Sequence, residues 1–150
     1  MQADQKAPVY GTGEVEVAAD PETVWSVLAD IQGWPSWNPD ISAVTVRGPV
    51  QPGTTFSWKS GPGTITSTFQ LVDRPTELAW TGKTLGIPAI HVYRLRPSDP
   101  HPGHTVVWTE ESWSGLLARL LRRRFTTTLK TAIDTGLARL KAEAERRATP

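Results

Sequence analysis

Apolar residues recur along this chain with two different periods, and the change of period divides it. From Leu117 onward they fall three and four apart: Leu117, Leu120, Leu121, Phe125, Leu129, Ile133, Leu137, Leu140 and Ala144. That spacing marks one face of a long amphipathic helix. Its opposite face carries Arg119, Arg122, Arg123, Lys130, Arg139, Lys141 and Glu143. Propensity is weakest at Thr126-Thr127-Thr128 and Gly136, where the pattern admits a bend. Upstream the period is two. Val9, Val15 and Val17 mark a first strand, which stops at Asp20-Pro21, a helix cap followed by a proline suited to the first helical position. Val24, Trp25, Val27 and Leu28 give one face of a short helix. The stretch Gly33-Trp34-Pro35-Ser36-Trp37-Asn38-Pro39 is then a stiff loop or broken helix, because two prolines restrict its backbone.

Strand-like runs follow at 41–47, 54–59, 64–72, 78–83, 90–96 and 105–113, separated by turn residues such as Gly61-Pro62-Gly63 and the run from Pro97 to Gly103. Short strands with turns between them predict an antiparallel sheet. The only surface on which so long a helix can lie is that sheet. The expected architecture is α+β: a curved antiparallel sheet of six to seven strands around a long C-terminal helix, with two short helices after the first strand. One domain over 9–147 is expected, between a flexible N-terminus at 1–8 and a tail at 148–150.

Composition narrows the function classes. The 150 residues carry a net charge of +1, which gives no reason to expect a nucleic-acid partner. There is no cysteine, so thiolate chemistry and cysteine metal sites are excluded. The first eight residues lack the apolar core of a secretory signal, and no apolar run is long enough to span a bilayer, so a cytoplasmic protein is expected. Seven tryptophans stand against three phenylalanines and two tyrosines. Large flat side chains suit walls that contact organic ligands, although any one of them also serves as core.

The order of elements, together with certain residues, resembles the SRPBCC superfamily (the START, birch-pollen-allergen and polyketide cyclase/dehydrase group). The residues that carry it are Ala19-Asp20-Pro21-Glu22-Thr23-Val24-Trp25, Trp34-Pro35-Ser36-Trp37, Gly53-Thr54-Thr55-Phe56-Ser57-Trp58, Pro75 to Gly82, and Glu111-Ser112-Trp113-Ser114-Gly115. They point to the bacterial polyketide-cyclase-like branch. The resemblance implies the helix-grip fold, with a cavity between sheet and helix. It does not fix a reaction, since cyclases, hydrolases, carriers and receptors share the scaffold.

Strand alternation, combined with the family's inward pattern, selects the cavity-facing residues. In the last strand these are Val107, Thr109, Glu111 and Trp113, with Trp108 facing outward. In the strand before it they are His91, Tyr93 and Leu95. A hairpin centred near His101 opposes Leu95 to Val107, Tyr93 to Thr109 and His91 to Glu111. A histidine beside a carboxylate in a half-buried cavity is a candidate acid/base pair, set against a charge-paired contact that merely satisfies two buried groups. Expected ligand contacts are Phe56, Trp58, Trp80, Tyr93, Thr109 and Trp113, with Trp34 and Trp37 near the mouth, as the resemblance implies.

No cofactor is expected. His101 and His104 share a loop without the spacing of a zinc site, so no metal is expected either. The catalytic arginine or tyrosine of the better-known cyclases has no counterpart here; Thr64, Thr66, Ser67, Thr68 and Gln70 offer only neutral groups. Arg122-Arg123-Arg124 is a candidate contact for an anionic surface or an acyl carrier protein, weighed against a solvated helix face. A membrane-surface helix is disfavoured, because the core needs the apolar stripe. The expected function is binding of a small hydrophobic organic molecule, by a monomer or homodimer. Three roles stay open: a polyketide cyclase/dehydratase-like enzyme, a non-catalytic carrier or sensor, or a protein-interaction module with a collapsed pocket, which would show an exposed apolar patch around Trp108 or the long helix.

Overall fold

The computed structural model describes residues 1–150. Strand β1 (Val9–Val17) leads to helix α1 (Pro21–Leu28), a single 3₁₀ turn at Ile31–Gly33 and the short helix α2 (Trp34–Trp37). Six strands follow: β2 (Ser42–Val46), β3 (Thr55–Lys59), β4 (Thr64–Asp73), β5 (Glu77–Thr84), β6 (Ile87–Pro97) and β7 (Thr105–Trp113). Helices α3 (Leu116–Leu120) and α4 (Arg122–Ala148) close the chain. All strands join one antiparallel sheet in the order β1-β7-β6-β5-β4-β3-β2. The last strand thus returns to pair with the first.

Local chemistry sets the boundaries. The Asp20 carboxylate accepts the Thr23 amide hydrogen at 2.8 Å and caps α1, with Pro21 in its first turn. Leu129, Ile133, Leu137, Leu140 and Ala144 are the buried stripe of α4, which lies across β1. Gly13 makes that approach possible: a Cβ there would stand 2.6 Å from Ile133 and 2.8 Å from Leu137.

The helical stripe runs shorter than its periodicity predicts. The chain breaks at Leu121 (φ −105°, ψ 24°), and α3 stands apart from α4. Leu117, Leu120 and Leu121 are therefore solvent-exposed and do not belong to the core. No break occurs at Thr126-Thr127-Thr128. Their hydroxyls bond back to the carbonyls of Arg122, Arg123 and Arg124 at 2.7, 3.3 and 3.0 Å, within an unbroken helix that also runs through Gly136. The opening residues lie against the outer face of the sheet, where Ala3 is buried and its amide donates to Glu110 at 2.9 Å.

Candidate functional site

Between the inner face of the sheet and the first half of α4 lies a cavity of about 300 Å³. That is the lower end of the size range of small-molecule sites. Its walls come from strands and helix at regular spacing. Trp58 (β3), Ile65 and Ser67 (β4), Trp80 (β5) and Ala89 (β6) contribute from the sheet. Phe125, Thr128 and Ala132 face it from α4 at helical intervals. The turns β3–β4 (Ser60-Gly61-Pro62) and β5–β6 (Leu85), both solvent-exposed at their tips, form the mouth.

His91 and Glu111 oppose each other directly across β6 and β7, in the register read from the sequence: Leu95 to Val107, Tyr93 to Thr109, His91 to Glu111. His91 Nδ1 stands 3.5 Å from a Glu111 carboxylate oxygen, and both side chains line the cavity. The other ring nitrogen fixes the tautomer. Thr109 donates its hydroxyl hydrogen to the Val92 carbonyl at 2.8 Å, so toward His91 its oxygen can only accept. Nε2 therefore carries the proton and donates it to Thr109 at 3.0 Å. Nδ1 is left as a lone pair with no hydrogen-bond partner.

Burial acts on the pair in the direction that keeps both groups neutral. It pulls the His91 imidazole down from 6.5 to about 3. It pushes the Glu111 carboxyl up from 4.5 to about 7, with the Trp113 indole opposing. Near neutral pH the cavity thus holds an imidazole base facing a carboxyl poised between acid and carboxylate. A second residue of the cavity wall carries an unpaired buried polar atom, Thr84 with its hydroxyl near the mouth.

The other expected site residues divide into three groups. Trp58, Trp80 and Trp113 line the cavity; Trp58 donates its indole N–H to Ser67 at 3.1 Å, and Trp113 meets Phe125 edge-on at 5.6 Å. Tyr93 and Thr109 do not reach the cavity wall but hold His91: the Tyr93 ring stacks on the imidazole at 4.6 Å, and Trp80 lies 4.8 Å from the imidazole and 5.7 Å from the Tyr93 ring. Trp34 and Phe56 are buried in an aromatic cluster with Trp58 and Trp80, and Trp34 gives its N–H to the Leu28 carbonyl at 2.9 Å. Trp37 packs against the core. These last three do not line the cavity.

Sequence reasoning named Ser67 among the neutral groups of its strand and Phe125 only as core, and it passed over Ile65, Thr84, Thr128 and Ala132. The alternation of β4 places Ile65 on the same face as Ser67. Thr84 gives no signal, because a threonine at a strand end is ordinary. Outside the cavity the fold brings Glu16 to the two loop histidines: His101 Nδ1 lies 2.9 Å and His104 Nδ1 4.0 Å from a Glu16 oxygen. Outward-facing Trp108 is covered by the Arg94 guanidinium at 4.9 Å.

A seven-stranded antiparallel sheet gripping one long helix, with an apolar cavity between them, is the helix-grip architecture of the SRPBCC (START-like) superfamily. Within it the chain belongs to the family described as polyketide cyclase/dehydrase and lipid transport, whose model matches residues 10–145. Family and fold together support binding of a hydrophobic ligand in general. Among solved structures the chain is similar to a hypothetical protein of Helicobacter pylori (16% identity, TM-score 0.83, covering 93% of this chain and 90% of that one). It is also similar to a Streptomyces aromatase/cyclase (21% identity, TM-score 0.70, 92% and 94%). A third is norcoclaurine synthase of Thalictrum flavum (15% identity, TM-score 0.73, 98% and 98%). At these identities the likeness concerns the fold. A search of curated protein sequences gives no match.

Proposed function

We propose that the chain binds a small, elongated hydrophobic molecule in this cavity and acts on it as a cyclase/dehydratase-like acid/base enzyme through the His91–Glu111 pair, with Glu111 carrying the proton. The observation that carries the reading is the unpaired Nδ1 lone pair beside a carboxyl raised to about 7. A purely structural pair would close into a hydrogen bond; this one stays open at 3.5 Å, and an orphaned buried acceptor costs about 1–3 kcal/mol. A substrate proton offsets that cost.

In the proposed reaction the Glu111 carboxylate, the stronger base of the pair, takes the proton from a carbon next to a ketone and returns it to the ketone oxygen, with the His91 imidazole beside it. The resulting enol closes on a second carbonyl of the same chain. Loss of water from the ring hydroxyl, with the protons returned through the same pair, completes the dehydration. The walls hold the flexible chain folded, which supplies much of the rate. Trp80 pairs with His91, and Thr84 lies four residues further along β5, so the two unpaired polar atoms are roughly 13 Å apart along the strand. A ligand with a carbonyl at depth and a second polar group near the mouth satisfies both. The aromatase/cyclase likeness and the family description support the same class.

The second reading is a carrier or sensor of such a molecule, favoured by the apolar walls and by the lipid-transport part of the family description. The two separate on Glu111→Gln and His91→Ala, assayed for cyclisation of a synthetic poly-β-ketone thioester and for binding of the dye anilinonaphthalene sulfonate. The enzyme reading expects turnover to fall about 10²–10⁴-fold in each variant while dye affinity stays near wild type. Turnover preserved in both variants removes the pair from the chemistry, and no turnover in the wild type with binding intact supports the carrier.

A further inference from the structure

Helix α3 is built inside out. Its small residue, Ala118, is fully buried, whereas Leu116 and Leu120 are 73% and 70% exposed, with Leu117 and Leu121 partly so. These four leucines share one side of the helix, at i, i+1, i+4 and i+5. The β5–β6 turn adds a fifth. Leu85 is 64% exposed and holds φ +50°, next to Gly86 at φ +75°. Asparagine, aspartate or glycine suit that turn position, and a leucine there gives up both backbone ease and burial. The two elements adjoin, since Ser114 donates to the Pro88 carbonyl at 2.9 Å, and Leu85 also lines the cavity mouth.

Cations surround this apolar knob. Arg119, Arg122, Arg123 and Arg124 are exposed, as are Lys59 and Lys83 beside the mouth turns. The arginine ion pairs of the molecule involve only Arg74, Arg94, Arg96, Arg139, Arg146 and Arg147. From Trp113 to Ile133 the chain has no acidic residue, although its net charge is only +1. The molecule therefore presents a cationic, leucine-tipped end where its cavity opens, and its acids lie elsewhere.

We infer that this end docks the cavity mouth on an anionic lipid surface, the leucines entering the acyl boundary and the arginines meeting the headgroups. Protruding leucines on a convex helix match a fluid apolar phase better than the closed surface of an acidic protein, and flanking arginines supply the charge complement. The inference rests on the cavity-binding reading only for its purpose, which is passage of a hydrophobic ligand between membrane and cavity. Attachment itself is measured with the cavity empty.

The full chain is sedimented with vesicles of phosphatidylcholine alone and of phosphatidylcholine mixed with phosphatidylglycerol. Binding to the mixed vesicles only, weakened by salt, is expected. Arg122→Gln with Arg123→Gln should weaken it about fivefold per arginine. Leu116→Ser with Leu120→Ser should weaken it about a hundredfold at unchanged melting temperature, because both side chains lie outside the core. Equal binding to neutral vesicles, no binding to either kind, or full binding by the leucine variant overturns the inference. So does saturable association with a purified acyl carrier protein in the absence of vesicle binding. Failure of the cavity reading would show instead as loss of dye binding in solution.

Discussion

Glu110 and Glu111 adjoin in β7 and point to opposite faces of the sheet, and their surroundings assign them different work. Glu110 is 1% exposed yet fully engaged: Tyr10 donates its hydroxyl at 2.7 Å, the Ala3 amide donates at 2.9 Å, and Arg94 stands 3.9 Å away. That network ties the opening residues to the sheet, and burial, with the Glu110 carboxylate adding to it, pushes the Tyr10 phenol up to about 12. Glu111 has no such network: beside the Trp113 indole it faces an unpaired imidazole nitrogen. Because folding lifts its carboxyl from 4.5 to about 7, the folded state keeps a proton that the unfolded chain has released. The stabilisation from this proton is full below 4.5 and is lost as the pH climbs through about 7. His91 runs the other way: with its pKa lowered to about 3, its contribution is present above 6.5 and lost as the pH falls toward 3. Glu111→Gln removes only the first dependence. Melting curves across the pH range should show the variant gaining on wild type between 4.5 and about 7, then holding level. A difference that does not change with pH contradicts the raised carboxyl. The pairing of His91 with Glu111 was legible in the sequence, because strand alternation and one turn determine it. The proton on Nε2 was not, since it depends on Thr109 spending its own hydrogen on Val92.

At the scale of elements, periodicity found every strand and the long helix but misplaced the break. Leucines at three and four spacing continue from 117 to 140, and nothing in that pattern tells a buried leucine from an exposed one. The difference arises in three dimensions: α4 meets the sheet only from Phe125 onward, and the turn at Leu121 frees α3. The tryptophans teach the same lesson. Trp34 and Trp37 share a proline-stiffened loop, a reasonable place for ligand contacts, but α2 turns Trp34 under the sheet onto Phe56, Trp58 and Trp80. The grip of α4 on β1 is itself testable. Leu137 packs over Gly13, and Leu137→Ala should lower stability by about 2–5 kcal/mol in a denaturant titration. A loss below about 1 kcal/mol would mean that the helix is not seated as described.

For the whole molecule, cavity and mouth form one design. Apart from Trp37, the residues that carry unpaired polar atoms line the cavity, and the leucines without cover stand around its opening. The sequence carried the fold and the approximate wall, because both follow from alternation and family likeness. The volume was not legible, since it depends on how Trp58, Trp80, Trp113 and Phe125 turn against one another.

The measurement that tests the central claim most directly is native mass spectrometry of the chain purified gently from its own host, beside an Ala89→Trp variant that fills the cavity from its wall. A co-purified organic molecule of discrete mass on the wild type, absent from the variant, is the predicted result. A wild type that carries nothing and also fails to bind hydrophobic dye, or a ligand that survives the filled cavity, would contradict it.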